Sequence, residues 1–236
     1  MIPDKAFYVH PNQIKNNIFI LDEFESNHLI NVLRLKINDQ ILIIDGVGCA
    51  YVSLIKNISK KNVSGEIQKK YKHLGENQLN ITIAPGLIKR NRFENMMEKA
   101  VELGVREIQP LILDHCQIKH MNFDRIKKII ISSSKQCKRS FFPILKSPIS
   151  LEEYLNNQSN LIIAGSQKSE VHLRKALSKI SRDINVIIGP EGDFSDDEYA
   201  LLENKDILLY SLGSRRLRSE TACIASISIL NEFFND

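Results

Sequence analysis

The sequence lacks the features that mark membrane, secreted and zinc-binding proteins. No apolar run approaches the ~20 residues of a membrane span, and the first ten residues, MIPDKAFYVH, have no apolar signal-peptide core. The four cysteines, Cys49, Cys116, Cys137 and Cys223, lie far apart and form no CxxC pair. That spacing disfavours both a disulfide framework and a zinc site. We therefore expect a cytoplasmic protein that binds neither a membrane nor a metal.

Three common ligand-binding and catalytic motifs are also missing. No GxGxxG follows the first predicted strand of the α/β region, which disfavours a dinucleotide site of the Rossmann type. No GxxxxGK[ST] is present, which excludes a P-loop. No GxSxG elbow is present either, so nothing indicates a serine hydrolase.

The charge distribution is more informative than the net charge of +4. Seven basic residues and no acid lie between Arg125 and Lys146, and shorter basic groups lie at 89–92 and 215–218. Solvated helix faces explain most charge runs, whereas three separate clusters favour a phosphate-rich partner. Composition alone leaves these two readings about even.

The first ~72 of the 236 residues are typical of a small β-barrel with one helix. The helix is predicted over 23–35, with Leu29, Val32 and Leu33 on one face. A polar linker follows at 72–79. Alternating β-branched residues predict strands at 7–10, 17–22, 40–46, 50–58 and 62–71.

From residue 80 onward, predicted strands and helices alternate, which indicates an α/β domain with a mainly parallel, open sheet. Gly104 is placed to cap one helix, and Ser195 and Glu198 have the spacing of a capping box. The predicted strands are 80–88, 106–113, 160–165, 184–190 and 207–213, and the predicted helices are 92–104, 123–139, 171–180, 195–204 and 220–234.

Three strand ends in this α/β region carry glycines. They are Ala164-Gly165, the loop 188–193 and Leu212-Gly213. Ligands of open α/β sheets gather at the carboxyl ends of strands, and glycine lets a ligand approach the backbone closely. Each glycine taken alone is better explained as a turn or a cap.

Five segments together resemble the RsmE family, bacterial methyltransferases that act on N3 of a uridine in 16S ribosomal RNA. GPEGDFSDDE (189–198) resembles that family's GPEGGxxxxE loop, and LGSRRLRSETA (212–222) resembles its LGxRxLRxETA loop. The segments 28–46, 89–111 and 133–145 resemble three further patterns of the family. This sequence departs from the family at Asp193, which replaces the last glycine of GPEGG, and at Asn38, which replaces a glycine.

The resemblance implies a two-domain α/β protein. Residues 1–74 would form a PUA-like β-barrel that binds RNA, and residues 75–236 a SPOUT methyltransferase domain with a C-terminal trefoil knot. The cofactor would be S-adenosyl-L-methionine. The substrate would be 16S rRNA within the 30S ribosomal subunit, and the protein would form a homodimer through the knotted region.

The resemblance also implies roles for individual residues. Arg218 is our candidate for the cation that stabilises the uridine anion, and Glu191 and Glu220 are candidates for the base or for ordering the loops. A carboxylate in the first turn of a helix, such as Glu220, is also explained by the helix dipole. The cofactor candidates are Ala164, Gly165, Ile188, Gly189, Pro190, Glu191, Gly192, Leu212, Gly213, Leu217, Thr221 and Ala222. The RNA candidates are Arg34, Lys89, Arg90, Arg92, Arg139 and Arg215.

Two alternative functions stay open from the sequence. One is another SPOUT RNA methyltransferase that acts on a ribose 2′-oxygen. The other is a non-catalytic ribosome-binding protein of the same fold. The GPEG and LRxETA loops argue against the second alternative, and Asp193 leaves room for it.

Overall fold

The structure is a computed structural model that describes residues 1–59, 62–158, 160–176 and 183–235. The chain forms two compact units. The first contains Met1–Glu76 and Ile131–Phe142, and the second contains Asn77–Ile130 and Pro143–Asp236. Residues 131–142 thus pack with the first unit although they follow the polar linker in the sequence.

The first unit is built on a six-stranded sheet with the order β1-β4-β5-β6-β3-β2. The pair β1 and β4 is parallel, and the other neighbours are antiparallel. The five strands predicted in this region are confirmed, and the short β2 was not predicted. The strands are β1 (Ala6–Tyr8), β2 (Ile14–Lys15), β3 (Ile18–Ile20), β4 (Gln40–Ile44), β5 (Cys49–Ile58) and β6 (Val63–Lys72).

The predicted helix over 23–35 is shorter and less regular than expected. Helix α1 (Glu23–Asn27) is capped by Asp22, and a π-helical turn follows at His28–Val32. A π-turn adds one residue per turn and rotates the following side chains away from the helical face. Leu29 is buried as predicted, but Val32 is 62% exposed, so its predicted place on the apolar face is wrong.

Arg139 forms a buried ion pair inside the first unit. Its side chain is 2% exposed, and its Nη2 donates to Oε2 of Glu76 over 2.8 Å. The other oxygen of Glu76 accepts the backbone N–H of Phe141 at 2.9 Å. The predicted RNA contact of Arg139 therefore disagrees with its burial, because a phosphate cannot reach a guanidinium that is enclosed and paired. A basic residue within a basic cluster is expected to be exposed. Arg139 is buried because it pairs with a carboxylate that lies 63 residues away in the sequence.

The second unit contains a six-stranded sheet with the order β10-β8-β7-β13-β12-β14, in which all neighbours are parallel. A separate parallel pair joins β9 to β11. The predicted open parallel sheet is confirmed for the described residues. The strands are β7 (Asn80–Pro85), β8 (Glu107–Ile108), β9 (Leu111–Ile112), β10 (Ile144–Leu145), β11 (Ile149–Ser150), β12 (Leu161–Gly165), β13 (Asp183–Ile188) and β14 (Leu208–Tyr210).

The helices of the second unit largely agree with the prediction. The capping box of Ser195 and Glu198 is confirmed at the start of α6. Residues 177–180 of the helix predicted over 171–180 lie outside the described residues, and α4 was not predicted. Helix α3 begins in the second unit and its last residues belong to the first. The helices are α2 (Arg90–Glu102), α3 (Phe123–Cys137), α4 (Leu151–Asn156), α5 (Leu173–Ala176), α6 (Asp196–Asn204) and α7 (Ser219–Asn235).

The end of α2 is closed by a glycine and two asparagines. Gly104 has φ +89°, a left-handed conformation that glycine adopts without steric cost. A Cβ at Gly104 would also clash with the side-chain amide of Asn77. Asn77 and Asn231 both donate to the carbonyl of Leu103, at 3.0 and 2.6 Å. These contacts join the C-terminal end of α2 to the last turns of α7.

The ion pair of Arg139 gives a stability prediction. Replacing Arg139 by Ala leaves the carboxylate of Glu76 buried without its cation, and such a loss costs about 3–5 kcal/mol of unfolding free energy. Urea unfolding of the Arg139→Ala variant should show this loss. Lys128 lies exposed on α3, and Lys128→Ala should change stability by less than about 0.5 kcal/mol. Equal midpoints for the two variants would contradict the structural role of Arg139.

Candidate active site

A cleft of about 310 Å³ opens at the carboxyl ends of β12, β13 and β14. These three strands are neighbours in the parallel sheet, with β12 in the middle. Their register sets Gly165 opposite both Ile188 and Tyr210. The three strands therefore end at the same level, and the loops that follow them meet around one space.

Most of the predicted cofactor residues line this cleft. Nine of the twelve do so, namely Gly165, Ile188, Gly189, Pro190, Glu191, Leu212, Gly213, Leu217 and Ala222. Their contact with a cofactor stays a prediction.

The other three predicted cofactor residues lie outside the lining. Ala164 is fully buried one residue before the end of β12. Thr221 is exposed on the first turn of α7. Gly192 packs beside His115, whose Cβ would lie 2.8 Å from a Cβ added at this glycine.

Several residues that the sequence analysis did not select also line the cleft. Ser166 and Gln167 directly follow Gly165, Ser211 directly precedes Leu212, and Asp193 ends the GPEG loop. Adjacency to a selected strand end was the signal that could have found the first three. The remaining ones are Tyr210, Arg216 and Ser219.

The loop after β13 is a tight turn, stabilised by one hydrogen bond within the loop and one from the loop after β14. The N–H of Asp193 donates to the carbonyl of Pro190 at 3.0 Å, and Asp193 has φ +63°. The guanidinium of Arg216 donates to the carbonyl of Glu191 at 3.0 Å. This last contact ties the loop after β14 to the loop after β13.

The acidic start of α6 has structural partners. Ser195 Oγ donates to Oδ2 of Asp114 at 2.6 Å, and Glu198 Oε1 accepts the N–H of Asp114 at 2.9 Å. Glu198 also completes the capping box. These contacts fix the direction in which the chain leaves the cleft.

A chain of hydrogen bonds joins the loop after β12 to Asp193. The N–H of Lys168 donates to Ser166 Oγ at 3.0 Å, and Ser166 Oγ lies 2.7 Å from the hydroxyl of Tyr199. That hydroxyl donates to Oδ2 of Asp193 at 2.8 Å. Because the Tyr199 proton is given to Asp193, Ser166 is the donor to Tyr199. The carboxylate of Asp193 is thereby held in a defined orientation at the cleft.

Arg92 brings the two carboxylates predicted as base candidates together. Its Nη1 lies 3.4 Å from Oε1 of Glu191, and its Nε lies 3.7 Å from Oε1 of Glu220. The second oxygen of Glu220 is buried and has no hydrogen-bond partner among the described residues. Arg92 was predicted as an RNA contact. The structure places it at the first turn of α2, where it joins the GPEG loop to the start of α7, and its contact with RNA stays a prediction.

Arg218 stands at the entrance to α7. Its carbonyl accepts the N–H of Ala222 at 2.8 Å, which starts the helix. Its side chain is exposed, and within the described ranges no carboxylate pairs with it. It does not line the cleft itself, although its neighbours Leu217 and Ser219 do.

The remaining RNA candidates are exposed. Arg34, Lys89, Arg90 and Arg215 all have exposed side chains. Arg90 donates to Glu94, and Arg125 pairs with the same carboxylate. Hydrogen bonds from Arg125 and then Arg90 lower the pKa of Glu94 to about 2, so this carboxylate stays charged in ordinary buffers.

The described residues contain no group of three or more His, Cys, Asp or Glu side chains placed to hold a metal ion. Among the helices that the structure describes, none is long and apolar enough to cross a membrane.

Comparison with known proteins decides the family. A family model for the RNA methyltransferase domain matches residues 75–231, and one for the RNA methyltransferase PUA domain matches residues 21–68. Ribosomal RNA small subunit methyltransferase E of Rickettsia conorii is 31% identical over 94% of this chain and 92% of that protein. The protein of the same name from Buchnera aphidicola is 31% identical over 97% of this chain and 93% of its own length.

The chain belongs to the ribosomal RNA small subunit methyltransferase E family. The resemblance to the RsmE family is confirmed. The fold is accordingly a PUA-like N-terminal domain followed by a methyltransferase domain of the RsmE type.

Solved structures agree with this membership. Ribosomal RNA small subunit methyltransferase E from Neisseria gonorrhoeae, bound to S-adenosyl methionine, is 28% identical with a TM-score of 0.89. A Legionella pneumophila protein solved with its bound cofactor SAM is 30% identical with a TM-score of 0.87. Both alignments cover 98% of this chain and 98% of the other chain.

Tyr199, whose hydroxyl holds Asp193 at the cleft, gives a pH prediction for this RsmE family member. Burial, and to a lesser extent the hydrogen bond to Asp193, raises the pKa of Tyr199 to about 12. Above about pH 10 the unfolded chain ionises this tyrosine first, so stability is lost as the pH rises from about 10 to 12. Between pH 9 and pH 11, Tyr199→Phe should lose about 1.4 kcal/mol less than the wild type in urea unfolding.

The wild type and Tyr199→Phe share the other buried tyrosines, so the difference between them isolates Tyr199. Burial also raises the pKa of Tyr154 and Tyr210, and both contribute equally to the two proteins. Equal losses for wild type and Tyr199→Phe would show that Tyr199 titrates normally.

Proposed function

We propose that the protein is an S-adenosylmethionine-dependent methyltransferase that methylates N3 of a specific uridine in 16S rRNA of the small ribosomal subunit. The observation that carries this proposal is the cleft itself. Its walls are the two segments, GPEGD and LGSRRLRSETA, on which the family resemblance is most specific. The match to the SAM-bound Neisseria gonorrhoeae enzyme supports the same conclusion over nearly the whole chain.

The residues of the cleft fit the proposed cofactor. A space of about 310 Å³ is at the lower end of the range for small-molecule sites. Glycines at 165, 189 and 213 leave the backbone accessible, and Gly213, with φ +120°, has open space where a Cβ would stand. We assign backbone contacts with the cofactor to Gly165, 188–191, Leu212, Gly213 and Leu217. Ala222 closes the cleft from α7, Ala164 and Gly192 lie directly behind its walls, and Thr221 stays a predicted cofactor contact at the start of α7.

The reaction requires uridine N3 to lose its proton and to reach the methyl group in line. When bound, S-adenosylmethionine supplies the electrophilic methyl. The protein must stabilise the negative charge that spreads over N3 and the two carbonyl oxygens of the base. Arg218 is our choice for that cation, because its side chain is exposed beside the cleft and unpaired among the described residues.

The contacts of Arg92 bear on the roles of Glu191 and Glu220. A general base must have a free lone pair where the substrate proton arrives. Both carboxylates contact Arg92 through one oxygen, and the second oxygen of Glu220 is buried rather than open to an arriving proton. We therefore favour the loop-ordering role for both: with Arg92, they hold the GPEG loop and the start of α7 in register.

The partner follows from the proposed substrate. We propose that 16S rRNA is bound within the 30S subunit, with phosphate contacts from Arg34, Lys89, Arg90 and Arg215. Such contacts would make binding strongly salt-dependent. On the family resemblance we also propose a homodimer, a C-terminal trefoil knot and a cytoplasmic location, where ribosomal subunits are found.

Nucleoside analysis tests the proposed function. 30S subunits from cells that lack this gene would be incubated with the protein and S-adenosylmethionine, and their RNA digested for mass spectrometry. The expected product is 3-methyluridine. Arg218→Ala should slow its formation by about 10²–10³-fold, as expected on losing one group that stabilises a transition-state charge. Arg218→Lys keeps the charge and should recover part of the rate.

The other outcomes separate the alternatives. A 2′-O-methylated nucleoside would identify another SPOUT RNA methyltransferase. No methylated nucleoside, together with binding to 30S subunits, would identify a non-catalytic ribosome-binding protein. Undiminished 3-methyluridine from Arg218→Ala would keep the function and remove Arg218 from the mechanism.

A further inference from the structure

Asp193 is the carboxylate of the cleft that has no cation beside it. Four charged side chains line the cleft, namely those of Glu191, Asp193, Arg215 and Arg216. Glu191 is paired with Arg92. Among the described residues, no Lys, Arg or His nitrogen lies within 4.0 Å of the Asp193 carboxylate. Its charge is therefore available to a ligand.

The backbone at Asp193 would suit glycine better than a residue with a side chain. Its φ of +63° lies in the left-handed region, which Asp tolerates and glycine adopts freely. The turn itself needs only the N–H of Asp193, which donates to Pro190. The turn therefore does not explain why a carboxylate is present.

The side chain of Asp193 is oriented rather than free to rotate. Oδ2 accepts the hydroxyl of Tyr199, which is 6% exposed and is in turn held by Ser166. The other oxygen, Oδ1, lies on the side of Gly189, where a Cβ on that glycine would stand 3.4 Å from it. Among the described residues Oδ1 accepts no hydrogen bond. One oxygen is thus anchored, and the other stands beside a glycine of the cleft wall without a donor.

We propose that Asp193 is a specificity-determining residue that makes the cleft prefer the charged cofactor S-adenosylmethionine over its neutral product, S-adenosylhomocysteine. This inference rests on the proposed function. In the reaction the N3 proton leaves to water, the bond between sulfur and methyl breaks, the bond between N3 and methyl forms, and sulfur keeps the electron pair of the broken bond. The sulfonium thereby loses its positive charge. A fixed carboxylate in a partly enclosed cleft attracts the first form more strongly than the second.

The consequence for turnover is that the product is held less tightly than the substrate cofactor. An anion that interacts with the sulfonium contributes to binding before methyl transfer and not after it. The spent cofactor would then leave more readily, and S-adenosylhomocysteine would inhibit weakly.

Calorimetric titration of the full-length protein with each compound tests the proposal. The measured quantity is the ratio of the Kd for S-adenosylhomocysteine to the Kd for S-adenosylmethionine. We expect Asp193→Asn to lower this ratio about tenfold, equivalent to about 1.4 kcal/mol, mainly by weakening S-adenosylmethionine. Asp193→Gly should do the same, and glycine suits the backbone there, so this variant keeps the test independent of folding.

Tyr199→Phe separates the orientation of Asp193 from its charge. It removes the hydroxyl that orients Asp193 but keeps the carboxylate, so it should lower the ratio by no more than about threefold, less than the factor of ten that corresponds to 1.4 kcal/mol. A merely structural role for Asp193 would weaken both compounds equally in Asp193→Asn and leave the ratio unchanged, which would overturn the inference.

The two proposals fail in different ways. If the wild type binds both compounds and the ratio does not move in either Asp193 variant, the inference is wrong and the proposed function stands. If the wild type binds neither compound, the proposed function fails and takes the inference with it. Rising ionic strength should also lower the ratio for the wild type and not for Asp193→Asn, because salt screens the attraction between charges.

Discussion

The parallel pairing of β12 with both β13 and β14 is the constraint on which the rest of the site depends. Gly165 stands opposite Ile188 on one side and Tyr210 on the other. A Cβ at Gly165 would lie 3.3 Å from the hydroxyl of Tyr210 and 3.4 Å from Cδ1 of Ile188. The glycine therefore keeps this part of the cleft wall free of a side chain. A one-residue slip of β12 would separate the three loops that make the cleft.

Charged side chains then fix the loops that the sheet brings together. Arg92 reaches Glu191 and Glu220, and Arg216 reaches the carbonyl of Glu191. Asp193 is held by Tyr199. The net charge of +4 therefore does not show that the arginines differ in their contacts. Some arginines hold the loops, while others, such as Arg215 and Arg218, remain exposed.

The sequence predicted regular features well where one local rule decides them. The capping box at Ser195 and Glu198 and the positive φ at Gly104 depend only on nearby residues. The strand ends that form the cleft were also predicted, because glycines mark them. The apolar face through Val32 failed because a π-turn, which hydrophobic spacing does not signal, changed the phase of the helix.

Side-chain partners that are distant in the sequence could not be predicted. Arg139 and Arg92 both appear in basic clusters and were both assigned to RNA. Each is paired with a distant carboxylate, Arg139 with Glu76 and Arg92 with Glu191, 99 residues away, and of the two only Arg139 is buried. The sequence shows that basic residues lie close together but not which of them become buried when the chain folds.

The central proposal is that the cleft at the ends of β12, β13 and β14 holds S-adenosylmethionine. A crystal structure of the protein grown with S-adenosylmethionine tests it most directly. The account predicts the cofactor between the loops that begin at Gly165, Gly189 and Leu212, with the sulfonium on the side of Asp193. A cofactor bound elsewhere on the chain, or a cleft left without it at saturating concentration, would contradict the account.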